Sequence, residues 1–189
     1  MKLIEEKILK DGHIINDDII KVDSFLNHQI DTKLLKDFAS EVKKEFADVR
    51  VDKVLTIETS GLPIAFAIAE AFGYVPMVFA KKSKSAITDD NVYKANTKSF
   101  TRNMECEITV SKKYLLKDEN ILIVDDFLAE GNAAMGLIKM CKEASSNVVG
   151  VVSVIEKTFQ GGRKRIEEAG IKVFSGASIK AFKNNKPIF

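Results

Sequence analysis

The stretch that most constrains the fold is Ile121-Leu122-Ile123-Val124-Asp125-Asp126-Phe127-Leu128-Ala129-Glu130-Gly131-Asn132-Ala133. Its first four residues are apolar and mostly β-branched, with nothing polar at alternate positions. That is the pattern of a strand covered on both faces, as at the centre of a parallel sheet. Two acids follow, then a short loop with Gly131, then Ala134, Met135, Leu137, Ile138 and Cys141 at helical spacing. The order is strand, acidic loop, helix. In open α/β sheets ligands collect at the carboxyl ends of strands. The first N–H groups of a helix lack intrahelical partners, and the helix dipole favours an anion there. Carboxylates accept hydrogen bonds and repel anions, so Asp125 and Asp126 suit hydroxyl groups or a metal shell, while the glycine turn suits a phosphate. A sugar phosphate fits both halves. Taken alone, two acids after a strand are as readily the solvated start of a loop.

Competing phosphate motifs fit poorly. Gly131 and Gly136 have the glycine spacing of a P-loop, but Leu137-Ile138 stands where Lys-Ser/Thr is needed, and no G-x-G-x-x-G follows a strand. These mismatches argue against an NTPase and a dinucleotide enzyme.

Two further stretches repeat the pattern. Val54-Leu55-Thr56-Ile57 reads as a buried strand ending in Glu58-Thr59-Ser60-Gly61, with a helix over about 62–72, Pro63 in its first turn and Gly73 as its C′ residue. The apolar run 148–155 ends in Glu156-Lys157-Thr158-Phe159-Gln160. Gly161-Gly162 then leads into a short helix over 163–169 and an edge strand over 171–174. In a parallel sheet all three strand ends lie on one edge, which points to one composite site.

The remaining chain is read as follows. Leu3, Ile4 and Ile8 mark a first helix stopped by Gly12. Residues 14–20 give a short strand and turn. Residues 21–31 have no clear period and suit a structured loop over a ligand or a packed connector; His28 within them is a hydrogen-bonded histidine sooner than a catalyst. Leu34, Leu35, Phe38, Val42 and Phe46 form the stripe of an amphipathic helix capped by Asp31 or Thr32. A third strand over 75–80 precedes Lys81-Lys82-Ser83-Lys84-Ser85, a local positive field or a solvated charge run. The polar segment 83–97 is expected to be a mobile loop that closes over substrates. Ser99-Phe100-Thr101 and Glu107-Ile108-Thr109-Val110 alternate like an antiparallel ribbon.

Bulk properties bound the rest. With 189 residues, 46% of them hydrophobic and 30% charged, one soluble domain with a sizeable core is expected over 1–189. A net charge of +2 gives no support for a nucleic-acid partner. Cys106 and Cys141 lack metal-ligand or redox spacing and read as reduced thiols. The first residues are charged, and the most apolar stretch, 62–72, is too short to span a bilayer and contains Glu70. A cytoplasmic protein without a membrane partner is expected.

The 121–133 stretch closely resembles the phosphoribosyl diphosphate (PRPP) motif of type I phosphoribosyltransferases. In that family the acids bind the ribose 2- and 3-hydroxyls and the loop binds the 5-phosphate. The resemblance implies these roles for Asp125 and Asp126, and for Ala129, Glu130, Gly131, Asn132 and Ala133. Many members carry hydroxyl residues in the loop where this chain has Glu130 and Ala133, so the phosphate would rely more on backbone N–H groups, with Glu130 directed away. The family's diphosphate loop matches Ser60 and Gly61, with Lys81 beside them; members often carry Arg where this chain has Lys82.

Lys21-Val22-Asp23-Ser24-Phe25-Leu26-Asn27-His28-Gln29-Ile30-Asp31 and Ile155-Glu156-Lys157-Thr158-Phe159-Gln160 resemble, in the same order, the bacterial xanthine phosphoribosyltransferase family. There, positions matching Ile20, Asn27 and Lys157 contact the purine. A cationic donor favours xanthine, with its two ring carbonyls, over a base with an exocyclic amino donor, and an amide reads a carbonyl and an N–H together. A salt bridge of Lys157 with Glu156 or a nearby acid is the plainer alternative. The resemblance implies an α/β fold of the type I phosphoribosyltransferase kind, a mainly parallel sheet flanked by helices. A small hood would come from around 14–31 and around 171–189. It implies transfer of the phosphoribosyl group of PRPP to xanthine, giving XMP and diphosphate in purine salvage, without an assigned acid or base. Mg²⁺ would be bound mainly through PRPP and water, with no direct protein ligand, and the chain would be a homodimer. Guanine or hypoxanthine as acceptor, and a non-catalytic PRPP-binding regulator, are the alternatives; no helix-turn-helix or strongly basic extension supports the last.

Overall fold

The structure is a computed structural model of the chain and describes residues 2–83, 91–99 and 104–189. In chain order it contains α1 (Leu3–Asp11), β1 (His13–Ile15), β2 (Ile19–Lys21), α2 (Thr32–Glu45), β3 (Lys53–Ile57), α3 (Gly61–Ala71), β4 (Met77–Ser83), β5 (Val92–Ser99) and β6 (Met104–Ser111). It continues with β7 (Asn120–Leu128), α4 (Asn132–Glu143), β8 (Asn147–Lys157), α5 (Gly162–Glu168), β9 (Val173–Ile179), β10 (Ala181–Lys183) and β11 (Lys186–Ile188). Seven strands form the main sheet in the order β5-β6-β4-β3-β7-β8-β9. β4, β3, β7, β8 and β9 run parallel, and β5 and β6 add an antiparallel ribbon at one edge.

The unbroken apolar run of β7 has a direct reason. Leu122 and Val124 join the core beneath α1, α2 and α3, whereas Ile121 and Ile123 join the core beneath α4 and α5. Successive side chains of a strand point to opposite faces, so a strand with helices on both sides needs apolar residues at every position. All four are fully buried. From β3 the chain crosses through α3 to β4 on one side, and the later β7 lies on the other side of β3. The crevice at the carboxyl ends of β3 and β7 is therefore the switch point where such sheets bind ligands.

Helix boundaries follow capping chemistry. Asp31, the N-cap of α2, accepts a hydrogen bond from Leu34 N at 3.0 Å. Gly73 takes φ +90° just past α3, as expected of a C′ glycine.

Three expectations are corrected. The segment read as a mobile loop over 83–97 is, from Val92 on, strand β5, paired with β6 along its whole length; residues 84–90 lie outside the described residues, as do Phe100 and Thr101 of the expected ribbon. Two of its inward residues, Ala95 and Thr97, are small where α4 lies close, a Cβ on Gly136 being 3.4 Å from that of Ala95, and Tyr93 alone on that face is large. Small residues in a tight contact look like a loop to a hydrophobicity pattern. The strand placed over 75–80 continues to Ser83, and Lys81 and Lys82 pair with Thr109 and Ile108 of β6 instead of starting a loop. The edge strand expected over 171–174 is β9, at the edge of the main sheet, but it runs from Val173 to Ile179; within 171–189 the hairpin of β10 and β11 stands apart from that sheet.

Two small hairpins, β1–β2 and β10–β11, meet turn to turn. Asn16 and Asp17 in one turn, and Asn184 and Asn185 in the other, all take positive φ, which Asn and Asp tolerate best among residues with a Cβ. The Asp17 carboxylate accepts hydrogen bonds from Asn184 N and Asn185 N, and Asp17 N donates to Asn185 Oδ1. Between the first hairpin and α2, one π-helical turn (Asp23–Asn27) buries Phe25 and Leu26.

Candidate functional site

A cavity of about 420 Å³ lies at the carboxyl edge of the parallel strands. The three loops of the sequence reading all reach it: Glu58, Thr59, Ser60 and Gly61 after β3; Asp125 through Ala133 along the end of β7 and its turn; and Lys157 at the end of β8. Ile20 from β2 and Asn27 from the π-helical turn line the same cavity. The structure thus gathers Ile20, Asn27 and Lys157 with Ser60, Gly61 and the 125–133 stretch. Lys81 is exposed and does not line the cavity; its neighbour Lys82 does, because adjacent residues of a strand face opposite ways. Lys82 N donates to Glu58 Oε1 at 2.7 Å, which ties the 58–61 loop to β4.

The acids sit in the strand. β7 runs to Leu128, so Asp125 pairs in register with Ser153 of β8 instead of opening a loop. Asp126 N donates to Asp125 Oδ1 at 3.0 Å. Burial, and after it the charge of Asp126, push the Asp125 carboxyl well above its ordinary range, while the Lys82 ammonium acts the other way. Among the described residues neither acid has an ion pair. Two carboxylates held this way suit hydroxyl groups or a cation brought by a ligand.

The two turns are built for close approach. α3 begins at Gly61 with Ser60 in the N-cap position but without a side-chain cap. Among the described residues the first N–H groups of α3 therefore have no capping hydroxyl. A Cβ on Gly61 would stand 2.1 Å from Thr56 Oγ1, a fully buried hydroxyl without a hydrogen-bond partner among the described residues, so only glycine fits while the Thr56 side chain keeps its place. The Glu58–Thr59 peptide is cis. At the other turn, Gly131 takes φ +78° as the N-cap of α4, again without a side-chain cap. Its Cα face meets Gly162, whose N–H donates to Ala129 O at 3.0 Å; a Cβ on Gly162 would come within 2.3 Å of that oxygen. The glycine pair lets the start of α5 brace the 129–133 turn from behind.

Lys157 is held between the two hairpins. Its Nζ donates to Asp18 O at 2.9 Å and lies 5.6 Å from the centroid of the Phe182 ring, itself edge-on to Phe159. The residue is buried, and burial lowers its pKa against the opposing Asp18 carboxylate. The alternative partner, Glu156, is taken elsewhere: Arg163 binds it through Nε at 2.8 Å and Nη2 at 2.6 Å.

Several lining residues escaped the sequence reading, among them Thr97, Cys106 and Ser153, and Lys82 was placed in the positive run there without a contact of its own. Ser153 had a signal, being the polar residue inside the apolar run 148–155; it shares a hydrogen bond with Ser175 at 3.0 Å. Thr97 and Cys106 face each other across β5 and β6, a pairing no local pattern reveals. Among the described residues no group of three or more His, Cys, Asp and Glu could hold a metal ion, and no helix is long and apolar enough to cross a membrane.

Residues 21–182 match the model of the phosphoribosyl transferase domain. The chain is 49% identical over 189 residues to a xanthine phosphoribosyltransferase of Clostridium novyi, covering all of this chain and 99% of that one. It is 47% identical to a xanthine phosphoribosyltransferase of Clostridium tetani, over all of both chains. Among solved structures it resembles the APRTase of Giardia lamblia, with TM-score 0.77 and 22% identity over 94% of this chain and 98% of that one. The adenine phosphoribosyltransferase of Rhodothermus marinus follows with TM-score 0.74 and 20% identity, over 93% and 98%.

Proposed function

The chain belongs to the phosphoribosyltransferase family and has its type I fold, and from that premise we propose that it transfers the 5-phosphoribosyl group of PRPP to xanthine, giving XMP and diphosphate. The observation that carries this reading is the convergence of three strand ends and two N-terminal residues, Ile20 and Asn27, on one cavity. The first two ends form a sugar-phosphate surface and the third, with the hairpins, a base surface. Relatives of full length at 46–49% identity bear the name of this activity.

In the proposed arrangement Asp125 and Asp126 accept hydrogen bonds from the ribose hydroxyls, which favours their charged forms and offsets the repulsion between them. The N–H groups at the start of α4, around Ala129 to Ala133, hold the 5-phosphate, and those of Ser60 and Gly61 hold the diphosphate. Lys82 is the lysine beside the diphosphate, in place of Lys81. Ile20 packs on the purine, and Asn27 and Lys157 read its edge. The Asp18 carbonyl and the Phe182 ring fix the direction of the ammonium before the base arrives, so less ordering remains at binding.

Transfer passes through a transition state with oxocarbenium character at the anomeric carbon. This chain's residues hold the acceptor nitrogen and that carbon in line, keep water out beneath the paired hairpins, and place backbone donors where negative charge grows on the leaving diphosphate. The donor set at the cavity, two carboxylates without a cationic partner among the described residues, fits Mg²⁺ arriving with PRPP and keeping phosphate and water ligands. When bound, Mg²⁺ supplies charge neutralisation of the leaving group. No side chain is assigned as general acid or base.

The hood consists of the hairpin 13–21, the π-helical turn and the hairpin 181–188, and the whole chain is one domain. A second copy of the chain completes the assembly as a homodimer; exposed Phe66 on α3 and Phe79 on β4 supply apolar surface for it. The site of action is the cytoplasm. Diphosphate release with PRPP and xanthine, against guanine, hypoxanthine and adenine in competition, tests the reading. Xanthine is expected to be used best. Faster release with guanine or hypoxanthine would reassign the base, and none with any purine would end the reading.

A further inference from the structure

The proposed 5-phosphate turn carries an acid, Glu130, where an anion is to be bound. A carboxylate one residue before Gly131 opposes a phosphate by like charge. The structure contains a compensating device. Arg165, on α5, donates through Nη1 to Glu130 O at 2.6 Å and to Asn132 Oδ1 at 2.8 Å. Asn132 in turn donates through Nδ2 to Glu130 Oε2 at 2.9 Å. The amide of Asn132 thus stands between guanidinium and carboxylate, with its two ends committed in opposite senses. Both Glu130 and Arg165 are exposed. The contact is possible because Gly162, three residues before Arg165, lies against Gly131. The other arginine of the same short helix, Arg163, turns to Glu156.

We propose that Arg165 is a positioning residue for the 5-phosphate turn: through Asn132 it holds the Glu130 carboxylate in a fixed place, and its charge offsets that of Glu130, so the turn accepts a phosphate despite the acid within it. The inference rests on the reading of residues 129–133 as the phosphate turn. It explains how a turn without hydroxyl side chains tolerates an acid. Neither Arg165 nor Glu130 needs to touch the phosphate; what matters is the sum of their charges and the hold of Asn132 on the carboxylate.

A double-mutant cycle on the full chain tests this. The dissociation constant of PRPP is measured calorimetrically with Mg²⁺ present, alongside KM for each substrate and the thermal midpoint, for the wild type, R165Q, E130Q, R165Q/E130Q and R165K. R165Q is expected to weaken PRPP about 3- to 10-fold, a size typical of a solvent-screened charge beside a binding turn, with KM for xanthine and the thermal midpoint unmoved. E130Q tightens PRPP by about twofold or less, and R165Q/E130Q returns to within about twofold of the wild type, because the acid that needed compensation is gone. R165K recovers part of the loss, keeping the charge but losing the fork. Equal weakening by R165Q in the presence and absence of Glu130 would overturn the proposal and make Arg165 a backbone brace or a direct phosphate ligand. An unchanged PRPP constant in R165Q overturns it as well. A wild type that binds no PRPP fails before the cycle begins; that result refutes the functional reading, and this inference with it.

Discussion

Two acidic strand ends lie side by side in this molecule, and they are treated in opposite ways. On β8, Glu156 is fully buried and bound at both oxygens by Arg163, which also donates to Val173 O and Ser175 Oγ. The carboxylate holds the guanidinium pKa above its ordinary value, against the effect of burial. On β7, Asp125 and Asp126 face the cavity with no cation at ion-pair distance among the described residues, and Asp125 is pushed toward its neutral form. Leu128 of β7 is the register partner of Glu156, so the two arrangements are a few residues apart. A buried acid that carries its own cation is complete and serves the fold. Acids left without one retain an unfavourable interaction that a polyhydroxylated or cationic ligand relieves, which is the mark of a functional site.

The contrast is most severely tested by removing each charge. Replacing Asp125 and Asp126 together by Asn is expected to lower transfer by about 10³-fold or more while circular dichroism stays native, as followed by diphosphate release. Activity within tenfold of the wild type would take the ribose role from these acids. Arg163→Ala is expected to do the reverse, costing about 3–5 kcal/mol of stability because Glu156 is left buried and unpaired. Urea denaturation measures this, and replacing both Glu156 and Arg163 by Met should recover most of the loss. A loss below about 1 kcal/mol for R163A would mean that water reaches Glu156 and that the two ends are not so different.

Lys157 belongs to the functional side of the comparison. Lys157→Ala should lower kcat/KM for xanthine by about 10- to 100-fold, the range of a hydrogen bond to a charged group, and change the PRPP constant less than about threefold. Comparable losses for both substrates would make Lys157 a hinge of the hairpins instead of a base reader.

The smallest effect is on stability against pH. Since the folded-state pKa of Asp125 lies above its unfolded value, near 3.9, the folded state binds the extra proton between those two values. Stability from this group is present below the unfolded pKa and is lost as pH rises toward the folded pKa. Asp125→Asn should therefore raise the thermal midpoint by a few degrees at neutral pH, with little change at pH 3. Equal shifts at both values would remove the electrostatic explanation.

Much of this was legible in the chain. The 121–124 run announced a central strand because helices cover both of its faces, and the glycines at 61 and 131 announced turns because a Cβ there meets Thr56 or the backbone around Gly162. The β5 strand was not legible, since α4 packs so close at Ala95 that this residue and Thr97 are small or polar, like those of a loop. The choice of Lys82 over Lys81 was not legible either, because it depends on which face of β4 meets the cavity.

By itself the sequence determined the local order of strand, polar turn and helix, since periodicity, β-branching and glycine act over a few neighbouring residues. Pairing across long separations was decided by the tertiary structure alone: Asn132 with Arg165, Asp17 with the turn at Asn184 and Asn185, and Lys157 with Asp18 and Phe182. A side chain's partner is fixed by where the packed sheet and helices bring distant backbone together, and no short stretch of chain carries that information.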